Sequence, residues 1–182
     1  MKPRYVMGIG YPEDLLVSIA LGADMFDCVW PTRTARFGNA ITPNGNLNLR
    51  HSSFARDFRP IDPECQCPCC LPETEVSGLG ITRAYVYHTA NKETAGAHLL
   101  TMHNIHFLLN LMRLARDAIL QQQYPRFLRT WLGKYFGVDV HGPSKWPLWA
   151  VNALKQVGVD LLHMEEAEPD SYHALQSRAP RT

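Results

Sequence analysis

The chain has 182 residues, 46% hydrophobic and 10% aromatic, which is enough for a sizeable core and too apolar for disorder throughout. Lys and Arg number 18 against 17 Asp and Glu, so a net charge of +1 offers no global reason to expect a nucleic-acid partner. Met1-Lys2-Pro3-Arg4 runs directly into a short apolar stretch, so neither a signal peptide nor a membrane span is expected, and the chain reads as soluble and intracellular.

Tyr5 to Ile9, closed by Gly8 and Gly10, predicts a short buried strand. A helix follows: Pro12 suits its first position, Glu13 and Asp14 complement the positive end of its dipole, and Gly22 suits its end. Leu15, Leu16 and Ile19 give that helix an apolar face. Met25 to Val29 predicts a second buried strand ended by Pro31, making a βαβ unit with parallel strands. Between 37 and 50, Ile41, Leu47 and Leu49 alternate with polar residues, and Asn44-Gly45 predicts a two-residue hairpin turn. Leu71 to Thr82 is Gly-, Thr- and Glu-rich and reads as a surface loop. A long helix is expected from Thr89 or Asn91, with an apolar stripe at Ile105, Leu108, Met112, Ala115 and Ile119. Tyr124-Pro125 interrupts it, and Phe127 to Phe136 predicts a further helix. Residues 161–182, acidic at Glu165, Glu166, Glu168 and Asp170 and poor in apolar residues, read as a disordered tail.

Gly8-Ile9-Gly10 between a strand and a helix invites a dinucleotide-binding reading, but the third glycine of that fingerprint would fall at Glu13, and the fingerprint fails. The cysteines say more. Four of the five, Cys65, Cys67, Cys69 and Cys70, fall within six positions, too close to bridge one another, and Cys28 is the only distant partner. A reducing compartment and a metal fit that spacing better than disulfides. Cys65-x-Cys67-x-x-Cys70 can aim three thiolates at one point and lacks only a fourth ligand for tetrahedral Zn²⁺. His103 is the chosen ligand, expected to project roughly 200° from Ile105 and its stripe at about 100° per residue. His88, His98 and His106 compete on spacing alone, and Cys69 is a spectator or an alternative ligand. Three thiolates and an imidazole leave no open position, which makes the metal structural.

Asp24 and Asp27 flank the second strand. A carboxylate at the C-terminal end of a parallel strand is where α/β barrels place chemistry, although capping or ion pairing also explains such residues. Beyond that strand, Arg33, Arg36, Arg50, Arg56 and Arg59 form a basic run broken only by Asp57. Arginine suits forked recognition of phosphates and base edges, and a solvated loop gives the same composition.

Taken in order, Met7-Gly8-Ile9-Gly10, Met25-Phe26-Asp27-Cys28-Val29, Pro31-Thr32-Arg33-Thr34-Ala35-Arg36-Phe37-Gly38, the cysteine knuckle and Thr101-Met102-His103-Asn104 resemble the tRNA-guanine transglycosylase family. The resemblance spans about residues 3 to 160. It implies the C-terminal part of an irregular (β/α)₈ barrel, residues 1–160, with a zinc-binding insertion at about 60–105. By the same resemblance Asp27 is the nucleophile, Met7 and Gly8 contact the base, and Arg33 and Arg36 read the anticodon loop. Cys65, Cys67, Cys70 and His103 match the zinc ligands. The arginine segment looks like that of the eukaryotic catalytic subunit. This implies exchange of the wobble guanine of tRNAs with a GUN anticodon for queuine, through a covalent Asp-ribose intermediate. A homologous non-catalytic subunit is the implied partner, and the cytoplasm, including the mitochondrial outer surface, the implied location. The interval from Cys70 to His103 is longer than the resemblance implies, with the excess in Leu71 to Thr82. Only the seventh and eighth barrel strands are expected here, without the acid/base aspartate, so the chain alone is expected to be inactive. A non-catalytic zinc module that binds RNA or a subunit is the alternative.

Overall fold

The computed structural model describes residues 2–90, 93–137 and 146–161. In chain order the elements are β1 (Tyr5–Met7), α1 (Pro12–Ala20), β2 (Met25–Asp27), α2 (Trp30–Arg36), β3 (Asn39–Thr42), β4 (Gly45–Asn48), α3 (Arg83–Ala90), α4 (Thr94–Leu120), α5 (Tyr124–Phe136) and α6 (Leu148–Lys155). The described residues of this mixed α/β chain form two compact units, one within 1–28 and 111–182, the other within 29–110. Among the described residues no helix is long and apolar enough to cross a membrane.

In the first unit the expected βαβ is present, with β1 and β2 parallel in the register Tyr5↔Met25, Val6↔Phe26, Met7↔Asp27, but the two strands are shorter than expected and not buried, with Tyr5, Met7 and Met25 exposed. Pro12, Glu13 and Asp14 open α1, where a missing N–H goes unnoticed and negative charge faces the positive dipole end. Leu15, Leu16 and Val17 are buried beneath it. Pro125 does not interrupt a helix but occupies the first turn of α5, which therefore starts at Tyr124 instead of Phe127. Tyr124, Phe127, Leu128, Trp131 and Leu132 form its buried face at the 3–4 spacing of an amphipathic helix. The Tyr124 hydroxyl donates to the Leu16 carbonyl at 2.7 Å and ties α5 to α1. Helix α6, unread in the sequence, buries Ala150 and Leu154. The expected tail lies, from residue 162 onward, outside the described residues.

In the second unit Pro31 again opens a helix: β2 stops at Asp27, Val29, expected to end the strand, precedes α2 as its N-cap, and Pro31 lies in its first turn. β3 and β4 pair antiparallel with Thr42 opposite Gly45, so Pro43 and Asn44 make the turn, one residue earlier than expected. Pro43 cannot take the positive φ that a primed two-residue turn would need, and Gly45 supplies it at φ +96° instead. Thr89, an expected helix start, lies in the last turn of the separate helix α3, and Asn91 lies outside the described residues. Ala35, Ala40, Leu49, Ile61, Val86, Ala90 and Leu100 pack around the buried thiols of Cys67, Cys69 and Cys70.

Helix α4 supplies residues 94–110 to the second unit and 111–120 to the first. Its buried stripe is Leu100, His103, Asn104, Phe107, Leu108, Leu111, Leu114, Ala115 and Ala118. The expected stripe was out of phase, since Ile105 and Ile119 are exposed and only Leu108 and Ala115 of its members are buried. His103 consequently lies on the buried face and not opposite it. Two polar residues inside the stripe, with apolar residues outside it, reverse the phase that hydropathy alone suggests.

Candidate functional site

The cysteine knuckle is built by backbone hydrogen bonds. The amides of Cys70 and Leu71 both donate to the Cys67 carbonyl at 3.0 Å, and the Cys67 amide points at Cys65 Sγ at 3.5 Å. This tight turn brings Cys65, Cys67 and Cys70 toward one point. His103 Nδ1 lies 3.7, 3.5 and 3.4 Å from their sulfurs, and all four ligand atoms fall within 4.8 Å of one another. This group could hold a metal ion. The long excursion after Cys70 does not displace it, because Leu79 N–H donates back to Pro68, Gly80 N–H to Leu71 and Ile81 N–H to Cys69. The segment from Leu71 to Gly80 thus folds back beside the knuckle.

The far side of the imidazole is equally constrained. His103 is fully buried, and its Nε2 meets the Ile41 carbonyl at 3.0 Å. A carbonyl only accepts, so Nε2 carries the hydrogen, and Nδ1 is left to face the sulfurs as a ligand atom. With no ion among the sulfurs, burial works against a charged imidazole, but hydrogen bonds that Nδ1–H would donate to the Cys67 and Cys70 sulfurs outweigh it and push His103 up to about 10; a metal ion would take the place of that proton. Hydrogen bonds from Cys65, Cys69 and Cys70 hold the Cys67 thiol well below its ordinary range, and the bond to Cys67 pushes both Cys65 and Cys69 up. Negative charge thus concentrates at Cys67, which favours a cation in the cluster. The rival histidines stand apart: His88 bonds the Ala55 carbonyl, His98 is exposed, and neither they nor His106 joins the group. Cys69 stands outside the group of four ligand atoms, its sulfur also reaching the Leu99 carbonyl at 3.3 Å.

In the other unit, the parallel register places Met7 beside Asp27 at the C-terminal ends of their strands. Gly8 N–H donates to the Asp27 carbonyl at 2.9 Å, continuing the ladder by one bond. Met7, Gly8 and the exposed Asp27 are thereby brought together, with Met7 76% exposed as it would need to be to meet a ligand. Asp24, the other carboxylate near this strand, accepts from the Arg4 amide at 2.7 Å, a structural bond. One residue was missed in the sequence. The Tyr5 hydroxyl donates to Asp27 Oδ1 at 2.5 Å, and the Asp27 carboxylate raises the tyrosine pKa in return. The signal was available: residues two apart share a strand face, so Tyr5 lies with Met7 diagonally across from Asp27.

Arg33 and Arg36 are exposed on α2, a helix whose inner face is fixed by buried Pro31, Thr34 and Ala35. Two other members of the basic run, Arg59 and Arg50, are engaged within the protein. Asp57 holds Arg59 through a two-pronged contact at 2.8 and 2.7 Å, and Arg50 donates to the Arg36 and Ala90 carbonyls.

The sequence model of the queuine tRNA-ribosyltransferase family matches residues 1–137. The chain belongs to that family. It is 53% identical over 162 residues to the queuine tRNA-ribosyltransferase catalytic subunit of Schizosaccharomyces pombe, covering 88% of this chain and 39% of the relative. The catalytic subunit of Caenorhabditis elegans is 43% identical over 169 residues, covering 87% of this chain and 40% of its own length. A bacterial queuine tRNA-ribosyltransferase, from Herpetosiphon aurantiacus, is 45% identical over 135 residues, 74% of this chain and 32% of that protein. The chain therefore spans about two fifths of the length of the eukaryotic relatives in this family and about a third of the bacterial one.

Proposed function

We propose that this chain is the nucleophile-bearing part of a tRNA-guanine transglycosylase of eukaryotic type, which exchanges the wobble guanine of GUN-anticodon tRNAs for queuine. The observation that carries the reading is Asp27 at the C-terminal end of β2. There its carboxylate is exposed beside Met7 and Gly8 and aimed by Tyr5, in a chain that belongs to this family. An ionised Asp27 forms a bond to the anomeric carbon as the glycosidic bond breaks, and guanine leaves with the bonding pair and takes up a proton. Queuine then attacks the same carbon, loses a proton and releases the carboxylate, so two displacements preserve configuration. In this reading β1 and β2 are the seventh and eighth strands of an irregular (β/α)₈ barrel. The part of the relatives that this chain does not cover supplies the other strands and the acid/base aspartate.

In the same reading the metal is Zn²⁺. Tetrahedral Zn²⁺, with about 2.3 Å to sulfur and 2.0–2.1 Å to nitrogen, places each sulfur about 3.6 Å from the nitrogen. The 3.4 to 3.7 Å separations support that size of ion. With Cys65, Cys67, Cys70 and His103 holding all four positions, the ion supplies a cross-link between the knuckle and α4 and no chemistry. Arg33 and Arg36 contact anticodon-loop nucleotides, and a homologous non-catalytic subunit is the partner in the cytoplasm.

The test is exchange of labelled guanine into tRNA by the chain joined to the preceding segment of a eukaryotic relative, with the chain alone alongside. Exchange is expected in the joined protein and absent from the chain alone. No exchange in a folded joined protein would overturn the reading.

A further inference from the structure

Asn104 follows the metal ligand His103 directly and is fully buried, yet nothing in the metal cluster uses it. Its amide meets three backbone groups from two other elements. Nδ2 donates to the Pro31 carbonyl at 3.1 Å and the Asn39 carbonyl at 3.0 Å, and Oδ1 accepts from the Ile41 amide at 2.8 Å. The orientation of the side chain is forced, since the two carbonyls only accept and the amide only donates. With His103 Nε2 on the Ile41 carbonyl, two consecutive residues of α4 take up the Asn39 carbonyl and both backbone groups of Ile41 on the edge of β3 that β4 does not pair. The bond to Pro31 goes further, because Pro31 lies in the first turn of α2.

The other end of α2 is held as well. Arg50 donates through one nitrogen to the carbonyl of Arg36, the last residue of α2, at 3.0 Å and to that of Ala90, the last of α3, at 3.2 Å. Its stem crosses Gly38, where a Cβ would fall 2.6 Å from Arg50 Cγ and the backbone has φ +79°. Only glycine leaves that passage open without strain. A basic residue that composition assigns to an RNA surface is thus spent on the protein's own backbone.

We propose that Asn104 and Arg50 are positioning residues that clamp the two ends of α2, so that the display of Arg33 and Arg36 to RNA depends on the metal centre through the His103-Asn104 pair. The role in RNA display rests on the function proposed above; the clamp itself does not. Asn104→Asp keeps the side chain's size and the bond from Ile41 but replaces both donations with a carboxylate facing two carbonyls. Arg50→Lys keeps the charge but its ammonium ends one bond short of the Nη2 that donates to both carbonyls.

The experiment uses the zinc-loaded chain and measures metal content, amide hydrogen exchange and affinity for an RNA hairpin with a GUN anticodon loop. Arg33→Ala serves as the reader control. In both clamp variants the amides of α2 should exchange roughly tenfold faster or more, the equivalent of one lost hydrogen bond to a charged or buried group. Metal content and the protection of α3 and α5 should stay at wild-type levels, and RNA affinity should fall toward that of Arg33→Ala. Wild-type protection of α2 in metal-replete Asn104→Asp and Arg50→Lys would overturn the clamp. Should Asn104→Asp lose its metal, Asn104→Ser and Arg50→Lys decide the question by the same readout. Faster α2 exchange in a chain whose RNA affinity ignores Arg33→Ala would leave the clamp standing and remove the RNA-reading role.

Discussion

Replacement of His103 separates the energetic parts of the metal centre. His103→Ala removes a ligand and also strands the Ile41 carbonyl, which the imidazole satisfies at 3.0 Å in a fully buried place. A stranded buried acceptor costs about 1–3 kcal/mol. A structural zinc contributes about 10–16 kcal/mol in small zinc-binding peptides, against a total stability of about 5–15 kcal/mol for an ordinary domain. Loss of the ion should therefore dominate, and the unit formed by residues 29–110 should lose its cooperative melt. His103→Cys restores a four-ligand tetrahedral set and forfeits only the Ile41 bond, so it should keep one zinc per chain and lose about 1–3 kcal/mol. Metal analysis after dialysis, with thermal melts of both variants, checks the pair. Full zinc in a folded His103→Ala chain would refute the reasoning, as would loss of zinc in His88→Ala or His106→Ala.

Tyr5→Phe in a catalytically complete protein should lower kcat by about ten- to hundredfold with little change in KM for tRNA, because the lost hydroxyl holds the Asp27 carboxylate; steady-state exchange kinetics decide it. Arg33→Ala and Arg36→Ala should each weaken tRNA use by about 1–3 kcal/mol without altering fold or zinc, measured as kcat/KM for tRNA. Asp57 gives a pH dependence. Its hydrogen bonds from Arg59, with Arg83 at 3.3 Å, hold the carboxyl well below the ordinary carboxylate range. A group with a depressed folded pKa stabilises above its unfolded value of about 3.9 and loses that contribution as pH falls toward the folded value. Denaturant melts should show wild-type stability declining below about pH 4, with a shallower acid decline in Asp57→Asn.

The group that could hold a metal was legible because ligand spacing is a local property: three cysteines in six positions need only a tight turn. Its placement on α4 was not, because His103 and Asn104 occupy the buried stripe while Ile105 and Leu109 face outward, and periodicity weighs polarity without knowing which polar groups find buried partners. The two prolines misread as terminators, Pro31 and Pro125, both sit in first turns, where the ring is tolerated and no hydrogen bond is lost. The hairpin was visible in Asn44-Gly45 but slid by one residue because Pro43 dictates the turn. Tyr5 was read as strand filler, since its bond to Asp27 exists only once the parallel register joins residues 22 positions apart. Arg50 was counted with the RNA-facing arginines, and only its two carbonyl partners show otherwise.

The central claim is that Asp27 is the nucleophile, and the most direct measurement is the trapping of a covalent complex. In the completed protein, Asp27→Asn preserves size while removing the anionic oxygen that bonds to the anomeric carbon. Incubation with cognate tRNA under denaturing quench should give a protein–RNA adduct in the wild type and none in Asp27→Asn, with zinc content and tRNA binding unchanged. An adduct of wild-type abundance in Asp27→Asn, joined to another side chain, would contradict the account.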